Sequence, residues 1–395
     1  MSWKNVSLAD VSDVFNGKTP SKDDQRDVGH PVLKIKDVGE NGYFKGPFES
    51  FVDLELAGKF SEKHLKLDDS LILNAAHNSD YVGSKQYRAE QAVVGALPTG
   101  EWLIARANTE KLHPRFLNYW LQSPQARFQI KQLVKGIHLY PKDVMRLEIP
   151  LPPLPEQKRI AAILDKADAI RRKRQQAIQL ADDFLRAVFL DMFGDPVTNP
   201  KGWEVDGLEQ LSTRVTKGES PKWQGFEYGS EGVRFITSEN VLWGSLDERM
   251  KFIPLEFHQK LKRSQVQEGD LLINLVGASV GRACLAELNG MPANINQAVS
   301  VTTLDRSRLL PEIALYQLLV PSMQRVLLGN VVDAARANIS LADIRDLQML
   351  VPPIDMQLAF RKVLGKVKKC VAVNSSFTGL NLFESLSHNA FSGQL

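Results

Sequence analysis

The sequence predicts an α+β protein in which one mixed domain occurs twice and each copy is followed by a long helix. Two observations support this. Proline-led helical segments begin at Leu151 and again at Val351, and the blocks that precede them align with one another. We therefore predict four segments, which are residues 1–150, 151–194, 195–350 and 351–395.

The first helical segment runs from Leu151 to Gly194 and opens with a proline cluster that cannot continue a helix. Good helix formers follow without a proline or glycine until Gly194. At about 1.5 Å per residue this predicts a rod of roughly 55 Å. Apolar residues recur at alternating steps of three and four, the pattern of a coiled coil: Ile163, Ala167, Ile170, Ala177, Ala181, Phe184 and Val188. Such a stripe requires a partner helix.

The segment after Val351 supplies that partner, because it repeats both the proline pair and the glutamine that follows it. The second predicted stripe consists of Phe360, Val363, Val367, Val371 and Phe377. The second helix is expected to be weaker than the first, since it is interrupted by Asn374, Ser375, Ser376 and Gly379. Two unrelated amphipathic helices, each packed on its own domain, are the alternative. The matching proline entry, length and Phe-Gly ending favour a pair.

The two blocks before these helices share short landmarks in the same order. Each contains a glycine-led turn, two strand-like runs and a helix that starts at a proline. The matched stretches are Gly17–Ser21 with Gly218–Pro221, Val32–Ile35 with Val233–Ile236, Asp69–Asn74 with Gly269–Asn274, Pro114–Ser123 with Pro311–Val320, and Asp143–Leu147 with Asp343–Leu347. The strand order within a block is not determined by these matches.

Composition places the chain among globular proteins and excludes several classes. Its 395 residues are 43% hydrophobic, carry a net charge of +3 and include only two cysteines, Cys284 and Cys370. Two cysteines in different repeats form neither a disulfide framework nor a zinc motif. No signal peptide or membrane-spanning run is recognised, so we expect a cytoplasmic protein that contacts no membrane.

No catalytic constellation is found. The sequence lacks the phosphate-binding, dinucleotide-binding, zinc-protease and serine-hydrolase motifs. Amino-methyltransferases place an acidic or amide residue before two prolines and an aromatic residue after them, whereas here the contexts are Leu-Pro-Pro-Leu and Val-Pro-Pro-Ile. We therefore expect no enzymatic activity, no cofactor and no metal.

The loops of both blocks carry side chains suited to DNA. Amides and cations can read base edges, and hydroxyls and amides also hold phosphate. Ordinary turn chemistry explains any one of these residues, but their recurrence in both blocks favours binding. The candidates are Lys18, Thr19, Lys36, Asn74, His77, Asn78, Tyr81, Lys85, His138, Lys217, Ser220, Lys222, Trp223, Asn274, Ser279, Arg282, Asn296 and Gln297.

Basic clusters occur on both helices, at Arg171–Arg174 and at Lys366, Lys368 and Lys369. A solvated helix face, contact with phosphate and contact with an acidic protein partner remain open for them.

The chain resembles the specificity subunits of type I restriction-modification enzymes over essentially its whole length. The motifs that carry the resemblance are G-K-T-P-S at Gly17, I-P-L-P-P-L-P-E-Q-K-R-I-A at Ile149, M-F-G-D-P at Met192 and A-F-S-G-Q-L at Ala390. The second junction departs from the first, because Met356 stands where the first has Glu156.

The resemblance implies two target recognition domains separated by two long helices that pair as an antiparallel coiled coil. It implies a subunit without activity of its own, which binds two methyltransferase subunits and, through them, endonuclease subunits that translocate DNA. Each recognition domain would read one half of a split site in double-stranded DNA. The competing hypotheses are a stand-alone DNA methyltransferase with an unfamiliar site and a coiled-coil scaffold.

Overall fold

A computed structural model describes residues 3–39, 42–329, 338–375, 379–392 and 394–395, with side chains for all of these except residues 372–375 and 379–382. The chain forms two compact units. Unit 1 comprises residues 1–175 with 377–395, and unit 2 comprises residues 176–376.

Unit 1 is built from short strands and helices that alternate along the chain. Its strands are β1 (Asn5–Ser7), β2 (Ser12–Asn16), β3 (Gln25–Arg26), β4 (His30–Leu33), β5 (Phe51–Val52), β6 (Ser70–Leu73), β7 (Gln86–Arg88), β8 (Leu97–Pro98), β9 (Trp102–Ala107) and β10 (Glu148–Pro150). Its helices are α1 (Leu54–Lys59), α2 (Pro114–Gln122), α3 (Pro124–Leu133), α4 (Pro141–Val144) and the first part of α5 (Leu154–Phe193).

Unit 2 repeats this plan. Its strands are β11 (Glu204–Gly207), β12 (Ser212–Lys217), β13 (Val233–Ile236), β14 (Lys251–Ile253), β15 (Gln265–Val266), β16 (Leu271–Asn274), β17 (Ala283–Leu285), β18 (Ala293–Ile295), β19 (Val299–Leu304) and β20 (Gln348–Val351). Its helices are the last part of α5, α6 (Leu255–Lys260), α7 (Pro311–Leu318), α8 (Pro321–Leu327), α9 (Leu341–Asp346) and α10 (Ile354–Ser375); α11 (Gly379–Phe391) returns to unit 1.

The two units share their sheet topology, which confirms the predicted α+β repeat. An antiparallel sheet has the order β2-β9-β6-β7 in unit 1 and β12-β19-β16-β17 in unit 2. A mixed sheet contains β5-β4-β8 in unit 1 and β14-β13-β18 in unit 2, with one parallel pair in each. The strands β1 and β10, and likewise β11 and β20, pair beside the start of the long helices.

The helix α5 is continuous over 40 residues, as the sequence predicts. It begins directly after Pro153 and ends at Gly194, which has φ of +80°. This left-handed conformation is the usual glycine stop of a helix, and the Gly194 N–H donates to the Leu190 carbonyl over 2.8 Å.

One buried glutamine anchors each long helix to the loop before α2 or α7. In unit 1, Gln157 accepts a hydrogen bond from the His113 N–H (2.8 Å) and donates to the Pro152 carbonyl (2.8 Å). In unit 2, Gln357 accepts from the Leu310 N–H (2.8 Å) and donates to the Pro352 carbonyl (2.7 Å). Both side chains are fully buried, and each also donates to a second loop carbonyl.

The predicted stripe on α5 is wrong by one position at several residues. Ile170 and Phe184 are 54% and 52% exposed. Ala167 of the predicted stripe is buried in a core, and the other α5 residues buried there are Ile160, Leu164, Leu185, Phe189 and Phe193. The helix carries adjacent apolar pairs, such as Phe184 with Leu185. A three-and-four spacing can therefore be read in two neighbouring registers, and only packing selects between them.

Antiparallel helix pairing occurs within each unit. In unit 2, Phe193 and Phe189 near the end of α5 contact Phe360 near the start of α10, with ring centroids 5.9 and 5.6 Å apart. In unit 1, Arg171 on α5 stacks on Phe383 of α11 at 4.6 Å, and Arg159 donates to the Leu395 carbonyl over 3.0 Å.

The second predicted stripe is confirmed where it is described. Phe360 is fully buried, and Val363 and Val367 pack against the core of unit 2. The helix α10 ends at Ser375 and α11 begins at Gly379, which agrees with the predicted interruption. Ser376 and Phe377 lie outside the described residues. Among the described helices, none is long and apolar enough to cross a membrane.

Candidate nucleic-acid interface

The turn that follows β2 lies against the turn between β8 and β9. A side chain at Gly17 would collide with the carbonyls of Pro98 and Thr99, so this position requires glycine. Two residues further along, the Thr19 hydroxyl accepts a hydrogen bond from the Gly100 N–H over 2.9 Å. The glycine-led turn is therefore fixed at the edge of the antiparallel sheet, and it leaves Lys18 and Thr19 exposed.

The same edge receives the loop before α4. The Leu139 N–H donates to the Asn74 carbonyl over 2.8 Å, and the backbones of His138 and Ala75 form an isolated antiparallel β-bridge. Three predicted residues thus come together here: Thr19, Asn74 and His138. Tyr140, which the sequence did not single out, lies at the same place. It is 47% exposed, and its ring centroid is 6.1 Å from that of His138. The exposed histidine in the run Ile137–Tyr140 was the available signal.

Two predicted contacts are wrong, because both asparagines are used inside the fold. Asn74 is 5% exposed, and its amide donates to Asn16 Oδ1 (3.0 Å) and to the Gly100 carbonyl (2.8 Å). Asn274 is fully buried, and its amide donates to the Ser238 carbonyl over 2.9 Å. Neither amide is presented to a base edge.

The loop between β6 and β7 is an exposed polar segment. It carries His77, Asn78 and Tyr81, and Tyr81 is 62% exposed. Asn78 Oδ1 accepts from the Asp80 N–H over 3.0 Å and so caps a single helical turn. Lys85 closes the loop and donates to the Ile35 carbonyl over 3.3 Å.

The two other lysines of unit 1 that the sequence predicts as DNA contacts lie against neighbouring side chains. Lys18 Nζ lies 5.1 Å from the centre of the Phe60 ring. Lys36 forms an ion pair with Glu49 over 2.6 Å, and this hydrogen bond raises the pKa of Lys36 and lowers that of Glu49. Both lysines are exposed.

Unit 2 presents the corresponding edge. A side chain at Gly218 would collide with the carbonyls of Ile295 and Asn296, the same restriction found at Gly17. The turn after β12 is therefore held beside the turn between β18 and β19. This brings together the predicted residues Lys217, Ser220, Asn296 and Gln297, with Lys222 and Trp223 in the next helical turn. Trp223 is 74% exposed.

Ser279 and Arg282 occupy the loop between β16 and β17, the counterpart of the loop with Tyr81. Both are half-buried, and the Ser279 hydroxyl accepts from the Asn274 amide over 3.0 Å. This loop follows Asn274, the last residue of β16.

Hydrogen bonds at the strands β6 and β16 correct the predicted alignment of the two repeats. The Ala89 N–H donates to the Asp69 carbonyl over 2.9 Å, and the Ala286 N–H donates to the Asp270 carbonyl over 2.8 Å. Asp69 therefore corresponds to Asp270, one residue later than the sequence match with Gly269 implied.

The same shift applies at the end of the strand. The Leu139 N–H donates to the Asn74 carbonyl, and the Ile339 N–H donates to the Leu275 carbonyl, both over 2.8 Å. Asn74 therefore corresponds to Leu275 and not to Asn274. Two buried asparagines one position apart gave the misleading match.

Within the described ranges, no group of three or more histidine, cysteine, aspartate or glutamate side chains could hold a metal ion. The edges of the two units instead combine amides, hydroxyls, aromatic rings and cations, which are the groups that contact phosphates and base edges.

Comparison with known proteins gives a consistent result. Residues 1–180 match the type I restriction modification DNA specificity domain. The chain is 22% identical to the specificity subunit of the type I restriction enzyme EcoBI from Escherichia coli, over 100% of this chain and 86% of that protein. It is 21% identical to the MjaVIII specificity subunit from Methanocaldococcus jannaschii, over 94% and 87%.

A solved structure shares the fold. The S subunit of a type I restriction-modification system from M. genitalium is 12% identical, with a TM-score of 0.54 and coverage of 99% of this chain and 96% of that one. That structure and this chain therefore share the fold of a duplicated α+β domain with long helices. Residues 1–180 thus match the family's DNA specificity domain, and the chain is similar over its whole length to specificity subunits of type I restriction enzymes.

Proposed function

We propose that this chain is the DNA sequence-recognition subunit of a type I restriction-modification complex, in which each recognition domain reads one half of a bipartite site. The observation that carries the proposal is the repetition of one sheet edge. In both units a glycine-led turn with a lysine beside the glycine lies against the turn that precedes the last long strand, and polar side chains surround it.

The exposed groups at these edges divide into two roles. Lysines such as Lys18, Lys217 and Lys222 are suited to phosphate, which fixes the position of a protein on the duplex without reading sequence. Amides and aromatic rings such as Gln297, Tyr81 and Trp223 are suited to base edges and to the sugar surface. The two units carry different residues at these positions, so they are expected to read different half-sites.

A domain exchange tests this proposal. Residues 1–150 are replaced by the equivalent segment of a relative with a different site, and methylated positions are mapped across the host genome. One half of the recognised sequence should change, because only one of the two recognition edges has been replaced.

The matched control exchanges residues 195–350 and should change the other half alone. If either exchange altered both half-sites together, recognition would not be divided between the repeats. If neither exchange altered the site, sequence reading would lie outside these domains.

We further propose that the subunit has no methyltransferase activity of its own. The double prolines at Pro152 and Pro352 lie at the starts of the helices α5 and α10, where they terminate strands and admit a buried glutamine. Titration of the isolated chain with S-adenosylmethionine should give no binding. Saturable binding would instead favour the stand-alone methyltransferase, and failure to bind any duplex at low salt would favour the scaffold.

The partner surface that we propose for a methyltransferase subunit is the exposed apolar face of α5 in unit 2. Leu180 and Phe184 are 61% and 52% exposed, and Ala177 lies on the same face at the preceding turn. Ala177 and Phe184 belong to the stripe that the sequence predicts, whereas Leu180 does not, and all three are exposed in the described part of the chain. Endonuclease subunits would then join through the methyltransferase, of which the family arrangement implies two copies.

Replacing Leu180 and Phe184 by glutamine should abolish co-purification with the methyltransferase subunit and leave the melting temperature nearly unchanged, because exposed side chains contribute little to folding. The control Gln179→Ala, on the neighbouring exposed face, should assemble normally. Unchanged assembly of the double variant would place the methyltransferase elsewhere.

A further inference from the structure

Each unit contains a cavity that is open to solvent and is lined by its antiparallel sheet, the helix that follows the sheet, and a long helix. The cavity of unit 1 has a volume of about 440 Å³ and the cavity of unit 2 about 460 Å³. Tyr81 and Lys85, two of the candidate DNA contacts, line the cavity of unit 1, but the proposed function assigns no role to the rest of that lining or to the cavity of unit 2.

The two cavities occupy the same place in the repeat. The helices α2 and α7 both begin at a proline and present corresponding residues to the cavity. Tyr119 in unit 1 corresponds to Tyr316 in unit 2, and both line the wall.

The chemistry of the two walls is opposite. Asn118 and Gln122 on α2 are replaced by Leu315 on α7 and by Leu319, which directly follows α7. Strand pairing shows the same contrast, because Ser70 faces Arg88 where Leu271 faces Leu285. The wall of unit 2 is therefore apolar at positions where unit 1 is polar or charged.

The cavity of unit 1 holds more cations than carboxylates. Its lining includes five cations and two carboxylates, whereas the lining in unit 2 includes two cations and three carboxylates. Asp168, which is 5% exposed, accepts hydrogen bonds from both Arg171 (2.5 Å) and Arg172 (2.6 Å). One carboxylate thus accepts hydrogen bonds from two guanidinium groups, and its single negative charge cannot balance both positive charges. Beyond the lining, Glu90 binds Arg172 over 2.8 Å and lies 3.7 Å from Arg88.

Arg127 on α3 is the least compensated of these cations. Throughout the described part of the chain, no carboxylate forms an ion pair with it. Arg127 is exposed at its outer side, but desolvation by the surrounding protein and the neighbouring Arg171 charge lower its pKa, and only Glu384 opposes this effect. The corresponding residue on α8 is Gln324, which donates to the carbonyls of Gly281 and Leu318.

We propose that the cavity of unit 1 binds a small phosphate-bearing anion, which inserts between Arg127 and Arg171. A phosphate group offers up to two negative charges and several acceptor oxygens. Each guanidinium group can donate two parallel hydrogen bonds to such oxygens, a bidentate arrangement. A single carboxylate would form this bidentate pair with only one of the two arginines. The volume accommodates inorganic phosphate or the phosphate end of a nucleotide.

Calorimetric titration of the full chain tests the proposal, with inorganic phosphate and AMP as probes in a buffer free of sulfate. We expect one site per chain for both probes. The variant Arg127→Gln should weaken phosphate binding by at least about tenfold, the effect of losing one charged hydrogen-bond donor. This variant installs the residue that the second repeat carries, so the fold should tolerate it.

The control Arg146→Gln removes the same charge from an exposed position of unit 1 whose nearest carboxylate, Asp143, is 3.9 Å away. It should leave phosphate affinity within about twofold, as for an exposed surface charge. Absence of saturable binding in the wild type, or equal weakening in both variants, would overturn the proposal. A second measurement needs no variant: phosphate should raise the melting temperature of unit 1 above that seen with chloride at equal ionic strength.

A duplex DNA arm separates the two sources of phosphate. Unlabelled duplex should not displace bound phosphate, and Arg127→Gln should leave duplex affinity unchanged. Displacement together with loss of duplex affinity would make the cavity a contact for the DNA backbone, and the proposal of a free small anion would fail.

Discussion

At the scale of single residues, the two buried glutamines explain the proline-to-helix junction. Gln157 and Gln357 each satisfy one backbone N–H and two carbonyls that have no partner in regular secondary structure. The amide is needed because one end must accept and the other must donate. A buried glutamate could not supply both functions without taking up a proton.

Replacing Gln157 by leucine should therefore destabilise unit 1 by about 1–3 kcal/mol, because a buried N–H and two carbonyls lose their partner at similar side-chain volume. Denaturant unfolding of the full chain measures this. Gln357→Leu should produce a loss of the same size in unit 2. Unequal or negligible losses would show that water replaces the amide.

At the scale of elements, the helix α5 shows how far periodicity reaches. Its start, end and continuity follow from Pro153, Gly194 and the absence of breakers between them. The buried face of the helix could not be inferred from the sequence, because Phe184 and Leu185 are both apolar. Only the position of the neighbouring helices determines that Leu185 is the buried one. Composition determines where this helix lies in the sequence, and tertiary packing determines its rotation.

The corrected face gives a direct test. Leu164→Ala and Phe189→Ala should each destabilise the protein by about 2–5 kcal/mol, since both side chains are fully buried in the cores. Ile170→Ala, which truncates an exposed residue of the predicted stripe, should change stability by no more than about 0.5 kcal/mol. Thermal or urea unfolding distinguishes the two faces, and a large effect at Ile170 would restore the predicted register.

The sheet edges show a similar limit for the candidate site. Glycine-led turns could be matched from sequence, because Gly17 and Gly218 are required by close backbone contacts that any residue with a Cβ would violate. Asn74 and Asn274 could not be interpreted correctly, because the sequence does not show which end of a strand is covered by the next loop. The cationic cavity was also missed, since Arg88, Arg127 and Arg171 are far apart along the chain.

At the scale of the whole molecule, unit 1 depends on the last helix of the chain. Phe391 packs edge-on against Phe116 at 5.3 Å between centroids, and Phe383 lies 5.9 Å from Tyr119. Unit 2, residues 176–376, contains its own partner helix α10.

A chain that ends at residue 376 should therefore have a weakened unit 1 and an intact unit 2. Losing the two buried phenylalanines costs about 3–5 kcal/mol each. Limited proteolysis followed by mass spectrometry should show cleavage spreading within residues 1–175, while residues 176–376 resist. Protection of both units would mean that α11 is dispensable for the first core.

The same dependence gives the two units a different order of completion during synthesis. All of unit 2 has been translated once residue 376 is made, but unit 1 then still lacks α11 although its sheets emerged first. At about 5–20 residues per second, the first core waits roughly 10–40 s for a helix encoded some 200 residues later. During that interval Phe116 and Tyr119 on the nascent chain have no aromatic partner from α11, which makes the first unit a candidate client for chaperones at the ribosome.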